Sequence, residues 1–128
     1  MKLLIYFSVF LGSISSFAAT TELRMFSADK KKYDTVRVTE YQGVKISESC
    51  VKAGKANCQA WTAVQNKIPQ TPPPTAVLGN PAAHYCLDQK ANNRILIDEK
   101  KREFDFCVFA DGSVIDSWSL FNKHFGGK

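Results

Sequence analysis

Residues 80–125 read NPAAHYCLDQKANNRILIDEKKREFDFCVFADGSVIDSWSLFNKHF, and this stretch sets the expected fold. Asn80 can cap a first helical turn through its side-chain oxygen, and Pro81 suits the first helical position. Ala83, Cys86, Leu87 and Lys90 fall on one face at helical spacing. Asn92 and Asn93 suit a helix end in a left-handed conformation. Two strand-like runs follow, 94–97 and 104–109, joined by the charged stretch from Asp98 to Glu103, which reads as a solvated hairpin loop. Asp111-Gly112 signals a tight turn. Asp116 can cap a final helix in which Trp118, Phe121 and Phe125 share a face, stopped by Gly126-Gly127. The predicted order is helix, strand, strand, helix.

Asn80-Pro81-Ala82, Tyr85-Cys86, Cys107-Val108-Phe109, Asp111-Gly112-Ser113, Trp118 and Leu120-Phe121 together resemble a small bacterial domain of unknown function that often carries a haemolysin label. The resemblance covers about residues 79–125. It bears on the fold, leaves mechanism open, and its label implies a membrane-active factor. Where the family pattern has two further cysteines, this chain has Ile115 and Phe125. Both replacements are apolar, so hydrophobic packing is expected to hold the last helix in place of a bridge. Ala110 stands where the pattern has Pro, and Ser117 where it has Glu. None of these departures touches Cys86 or Cys107.

Outward from this unit, the chain opens with Met1-Lys2, an apolar run from Leu3 to Leu11 and a small-residue zone ending at Ala19. That is the layout of a signal peptide, with cleavage expected after Ala18, or after Ala19 as runner-up. The run falls short of the roughly 20 residues of a membrane span, and no other stretch offers a transmembrane segment. No Cys stands near the cleavage zone, which argues against a lipid anchor. The 128 residues carry a formal net charge of +5, which becomes +4 once Lys2 is removed. Nucleic acid is a poor partner outside the cytoplasm. Anionic lipid head groups or acidic polysaccharide fit a mildly basic surface, although ordinary solubilising charge accounts for it as well.

Four cysteines in an oxidising compartment allow three pairings. The expected ones are Cys86–Cys107 and Cys50–Cys58, each within one segment. Eight residues of straight helix span about 12 Å, too far for a disulfide. Either Cys50 and Cys58 are unpaired, or Gly54 bends the chain into a loop with a helix starting near Asn57. Trp61, Val64 and Ile68 share that helix's face, and Pro69 ends it. Before it, Val36 and Val38 alternate with polar residues, and Gln42-Gly43 can turn the strand back into Val44-Lys45-Ile46, with the valines and Ile46 on one buried face. Lys30-Lys31-Lys32 reads as a solvated loop. Gln70 to Thr75 contains three successive prolines and reads as an extended linker.

The expected fold is therefore α+β: a disulfide-stapled α-β-β-α unit preceded by a short β-hairpin and a helix. The division is signal peptide 1–18, N-terminal extension 19–69, Pro-rich linker 70–78 and the haemolysin-labelled domain 79–128. Phe104, Phe106 and Val108 lie on one face of their strand and Asp105, Cys107 and Phe109 on the other, so the ribbon needs cover on both sides. The two halves packing into one core would supply it. Otherwise Phe104 and Phe106, with Lys100, Lys101 and Arg102 at the hairpin tip, form an exposed binding surface.

Chemistry is sparse. His84 and Asp88 are four apart and read as an exposed helix face rather than a metal pair, and His124 in the last helical turn suits the helix dipole. No catalytic signature, phosphate loop or Cys-x-x-Cys spacing is present, so no enzyme, cofactor or metal is expected. The expected function is a non-catalytic extracytoplasmic binding or envelope-associated module, whose partner is a protein or another envelope component. The alternatives are a membrane-active haemolysin-like factor and a secreted hydrolase inhibitor that presents the Asp98–Glu103 loop.

Overall fold

The structure, a computed structural model, describes Gly12 and residues 19–66 and 79–126. Residues 1–11 and 13–18, on which the expected signal peptide falls, residues 67–78, on which the expected linker falls, and residues 127–128 lie outside them. Eight strands, three short α-helices and one 3-10 turn, Glu48–Cys50, make up the described elements: β1 Thr20–Ser27, β2 Lys32–Tyr41, β3 Val44–Ser47, β4 Val51–Lys52, β5 Lys55–Ala56, α1 Gln59–Gln65, α2 Pro81–Asp88, β6 Asn92–Ile97, β7 Glu103–Val108, β8 Val114–Asp116 and α3 Ser117–Phe125. Six strands close a barrel in the order β1-β2-β3-β8-β7-β6, every pairing antiparallel. The expected α-β-β-α unit is therefore incorrect. The 92–108 ribbon is one third of a barrel, whose other walls are the N-terminal strands and the short β8.

Cross-strand register explains the closure. Partners in a ladder share a face, and faces alternate along each strand. One row of pairs, Leu23↔Val36, Met25↔Leu96, Leu96↔Phe104 and Val108↔Val114, points into the barrel. Leu23, Val38, Leu96, Phe106 and Val114 form its packed interior. The opposite row, Thr39↔Ile46, Ile46↔Ile115 and Ile115↔Cys107, faces outward beneath the helices. There Ile46, Cys107 and Ile115 join Tyr85, Cys86, Ala60, Ala63 and Leu120 in a second core. Val38 pairs with Ser47 and Thr39 with Ile46, so Val38 and Ile46 occupy opposite faces. The single buried face expected for that hairpin is thus two buried faces.

The helices keep to one side. α2 packs on β6 and β7, and α3 packs on β3, β7 and β8. The outer wall of β1 and β2 stays exposed and carries a Glu22–Arg37 ion pair at 3.2 Å. The β2–β3 hairpin turns at Gln42 and Gly43, both with positive φ (46° and 81°), the pattern of a two-residue turn whose twist suits flanking strands.

Helix α2 begins as expected: the Asn80 side chain accepts from the Ala82 and Ala83 backbone N–H groups, with Pro81 next. Its buried face is one residue off the expected one. Ala82, Tyr85 and Cys86 are inside, while Leu87 is 58% exposed. Lys90, not an Asn, takes the left-handed position, at φ 61°, and Asn92 already belongs to β6. Asp116 caps α3 by accepting from Ser119 N at 2.7 Å. That helix buries Ser117, Leu120 and His124 rather than Trp118, which is 42% exposed, with Phe121 and Phe125 half-buried. Both expected disulfides form, Cys50–Cys58 across 5.4 Å and Cys86–Cys107 across 5.3 Å between Cα atoms. The first is possible because Ala53-Gly54 folds β4 back on β5, and α1 starts only at Gln59.

Candidate functional site

The barrel has an open mouth where β1 begins, β2 ends and the β6–β7 loop crosses. A cavity of about 200 Å³ sits there. Its inner wall is Leu23, Val38, Phe104 and Phe106, and its rim carries Glu40, Lys45, Asp98 and Arg102. The wall is apolar because these residues occupy the inward positions of their strands. The rim is charged because β2, β3 and the loop reach solvent at that end.

Of the residues expected to form a binding surface, the structure brings Phe104, Phe106 and Arg102 together here. They are not an exposed patch: Phe106 is 1% exposed, because the N-terminal hairpin folds over that face of the ribbon. Lys100 and Lys101 lie on the loop outside the cavity wall. Phe104 is the hinge between wall and rim. The Lys45 Nζ lies 5.7 Å over its ring centroid and the Arg102 Cζ 6.0 Å, both within cation–π range. Lys45 and Glu40 bring the N-terminal half of the chain into the site, and sequence reasoning missed them. Only the Glu40↔Lys45 register could have shown it.

The loop is held by Asp98. Its Oδ1 accepts from the Lys100 and Arg102 backbone N–H groups at 2.9 Å each, and its Oδ2 accepts from Arg102 Nε at 2.7 Å. Burial pushes this carboxyl up, but the hydrogen bonds and charge of Arg102, with the Lys100 N–H, outweigh it and hold Asp98 below the usual carboxylate range.

The conspicuous Asp111-Gly112-Ser113 motif is a helix cap. Asp111 Oδ2 accepts from Gln59 N at 2.8 Å and Ser113 Oγ from Ala60 N at 3.0 Å, satisfying the first orphan donors of α1. Gln59 Oε1 accepts from Asp111 N in return. Burial raises Asp111, but the Ser113 side chain and the backbone N–H groups of Gln59 and Ser113 lower it more, leaving its carboxyl below its ordinary value. Asn80 has a second task besides capping. It donates to Asp105 at 2.9 Å, and Asp105 also accepts from Asn93 at 2.8 Å. His124, in the last turn of α3, is buried between Tyr85 and the Val64 carbonyl. His84 is exposed beside Asn80, Leu87 and Asn92, in a separate shallow groove.

Two disulfides mark the chain as one that folds outside the cytoplasm. No helix among the described residues is long and apolar enough to cross a membrane. The family model described as "Domain of unknown function (DUF333)" matches residues 77–124, consistent with the resemblance carried by Asn80-Pro81-Ala82 through Leu120-Phe121. No curated protein matches the chain. No solved structure matches it.

Proposed function

We propose that the chain is a small exported, non-catalytic binding module of the cell envelope, released from a signal peptide near Ala18, and that it binds through the mouth of the barrel. The mouth carries this reading: an apolar wall of Leu23, Val38, Phe104 and Phe106 opens beneath a rim of four charged side chains. Binding sites characteristically join a concave apolar surface to a few placed polar groups. The export half of the reading is supported by the apolar run from Leu3 to Leu11, the Ser16-Phe17-Ala18 zone and the two disulfides.

Affinity capture from an envelope extract tests the binding half. Thr21 lines the mouth on β1 and is exposed, so mature wild-type protein and a Thr21→Trp variant, which plugs that opening, are immobilised side by side. A component retained by wild type and lost with Thr21→Trp is the expected result. Identical retention by both would remove the mouth from the reading. N-terminal sequencing of the exported form should start at Ala19 or within a residue of it.

A further inference from the structure

From the charges around the mouth we infer that its ligand is a compact aromatic or branched apolar group bearing a single negative charge, such as a small aromatic carboxylate. The inference rests on the mouth being the binding site and adds the ligand's chemistry.

Size sets the apolar part. An apolar cavity of about 150 Å³ holds a benzene-sized molecule, and this one measures about 200 Å³. One ring or branched aliphatic group fits, and a long acyl chain does not. Phe104 and Phe106 supply aromatic surface on which a ring can pack edge to face.

The rim sets the charge. It holds two anions and two cations, yet they are not equally available. Both carboxylate oxygens of Asp98 already accept hydrogen bonds from its own loop. Asp98 engages Arg102 at Nε, which leaves the terminal guanidinium nitrogens for a ligand. Lys45 forms no ion pair with a described residue within 4.0 Å. Its ammonium and the Arg102 guanidinium both lie close over the Phe104 ring, at the top of the apolar wall. A ring lodged in the mouth would direct a carboxylate to that pair, where charge-assisted hydrogen bonds to Arg and Lys are strongest. Glu40, the cross-strand partner of Lys45, opposes the anion and so limits the affinity.

The test titrates mature protein with 3-phenylpropionate, 3-phenylpropanol and 3-phenylpropylamine, followed by amide and methyl chemical shifts. The carboxylate should perturb Leu23, Val38 and Phe104, and bind about tenfold more tightly than the alcohol and more tightly still than the amine. Lys45→Gln should weaken the carboxylate about tenfold and leave the alcohol unchanged. Glu40→Gln should tighten the carboxylate. Both sites are exposed, so neither change threatens the fold. Equal binding of carboxylate and alcohol would overturn the charge assignment and leave the mouth standing as the site. Shifts confined to residues away from the mouth, or no shifts with any probe, would overturn the inference. In the last case the capture experiment still decides separately whether the mouth engages an envelope component.

Discussion

The Tyr85 hydroxyl meets Nδ1 of His124 inside the three-helix layer, joining α2 to α3. The Val64 carbonyl, on α1, can only accept, so His124 Nε2 donates to it at 3.0 Å, which leaves Nδ1 to accept from the Tyr85 hydroxyl. Gln89 then donates to the Tyr85 oxygen at 3.0 Å and accepts from Asn66 at 3.2 Å, returning the chain of bonds to the end of α1. The three helices, which already share one apolar core, are thereby joined by hydrogen bonds as well. Burial, reinforced by the Asp88 charge, pushes the Tyr85 hydroxyl up, and the Gln89 bond only partly offsets this. Tyr85 therefore stays protonated and remains a donor.

Deleting either side of this pair leaves a buried polar group unsatisfied, at a cost of about 1–3 kcal/mol. Tyr85→Phe and His124→Ala should each destabilise the protein in urea. The double variant should show a coupling energy of at least about 0.5 kcal/mol. Additive effects would mean that the two side chains pack side by side without an energetic bond.

The final helix gives a second test. Leu120 is fully buried and Trp118 is 42% exposed. Leu120→Ala removes core volume and should cost about 2–5 kcal/mol. Trp118→Ala removes a ring that leans on Phe121 with one face in solvent, and should cost well under half as much. Chemical denaturation ranks the two, and a larger loss at Trp118 would contradict the packing.

The same helix shows what the sequence made legible. Its capping residue, the stop at Gly126, the two disulfides and the 94–97 and 104–109 strands are all local signals, readable within a few residues. Which face each helix buries is not local. Trp118, Phe121 and Phe125 make the heavier apolar stripe, yet Leu120 and His124 point inward because β3 and β8 lie beneath them. The barrel was hidden for the same reason. β1 reads TTELRMFS, whose inward positions hold only two apolar residues, Leu23 and Met25, and β8 is three residues between a turn and a cap. Its closing pairs join residues more than 70 apart, such as Arg24↔Ile97. The mouth combines Lys45 with Arg102, and no spacing rule links them.

The two disulfides should differ in worth. Cys86–Cys107 closes 21 residues and Cys50–Cys58 closes 8. Chain-entropy arguments give roughly 3 kcal/mol for the first and roughly 2.5 kcal/mol for the second. The first also ties α2 to the helix-facing side of β7, so replacing both Cys86 and Cys107 by Ala should lower the melting temperature more than the matching change at Cys50 and Cys58. The opposite order in calorimetry would show that the β4–β5 loop matters more than the α2–β7 tie.

Asp111 predicts a pH dependence. Its folded carboxyl titrates below its ordinary value near 3.8. A group depressed in this way stabilises the fold above the unfolded value and loses that contribution as the pH falls through the folded one. Asp111→Asn should therefore be less stable than wild type at neutral pH, by about 0.5–2 kcal/mol as for a lost helix cap. The gap should narrow below about pH 4. Asp98 is depressed as well, so part of the acid limb should survive in the variant. A gap that stays constant down to pH 2 would mean the carboxylate charge plays no part in capping α1.

The last prediction concerns the segment matched by the family model. Residues 77–124 contain α2, β6, β7, β8 and nearly all of α3, with the Cys86–Cys107 bridge. They lack β1 to β3, so Leu96, Phe106 and Val114 lose Leu23 and Val38, the other side of the barrel interior. Ile115 loses Ile46, and His124 loses the Val64 carbonyl. Asp111 and Ser113 lose the helix they cap. Each large apolar side chain returned to water forfeits about 1.5–3 kcal/mol, against a total stability of about 5–15 kcal/mol for a small domain. A fragment of residues 77–128 should therefore bind a hydrophobic dye and unfold without a cooperative transition, even with its disulfide intact. Adding a peptide of residues 19–66 should restore the sigmoidal melt and release the dye. A fragment that melts cooperatively alone would show that the helices and the 92–108 ribbon make a sufficient core, and that the N-terminal strands are an attachment to it.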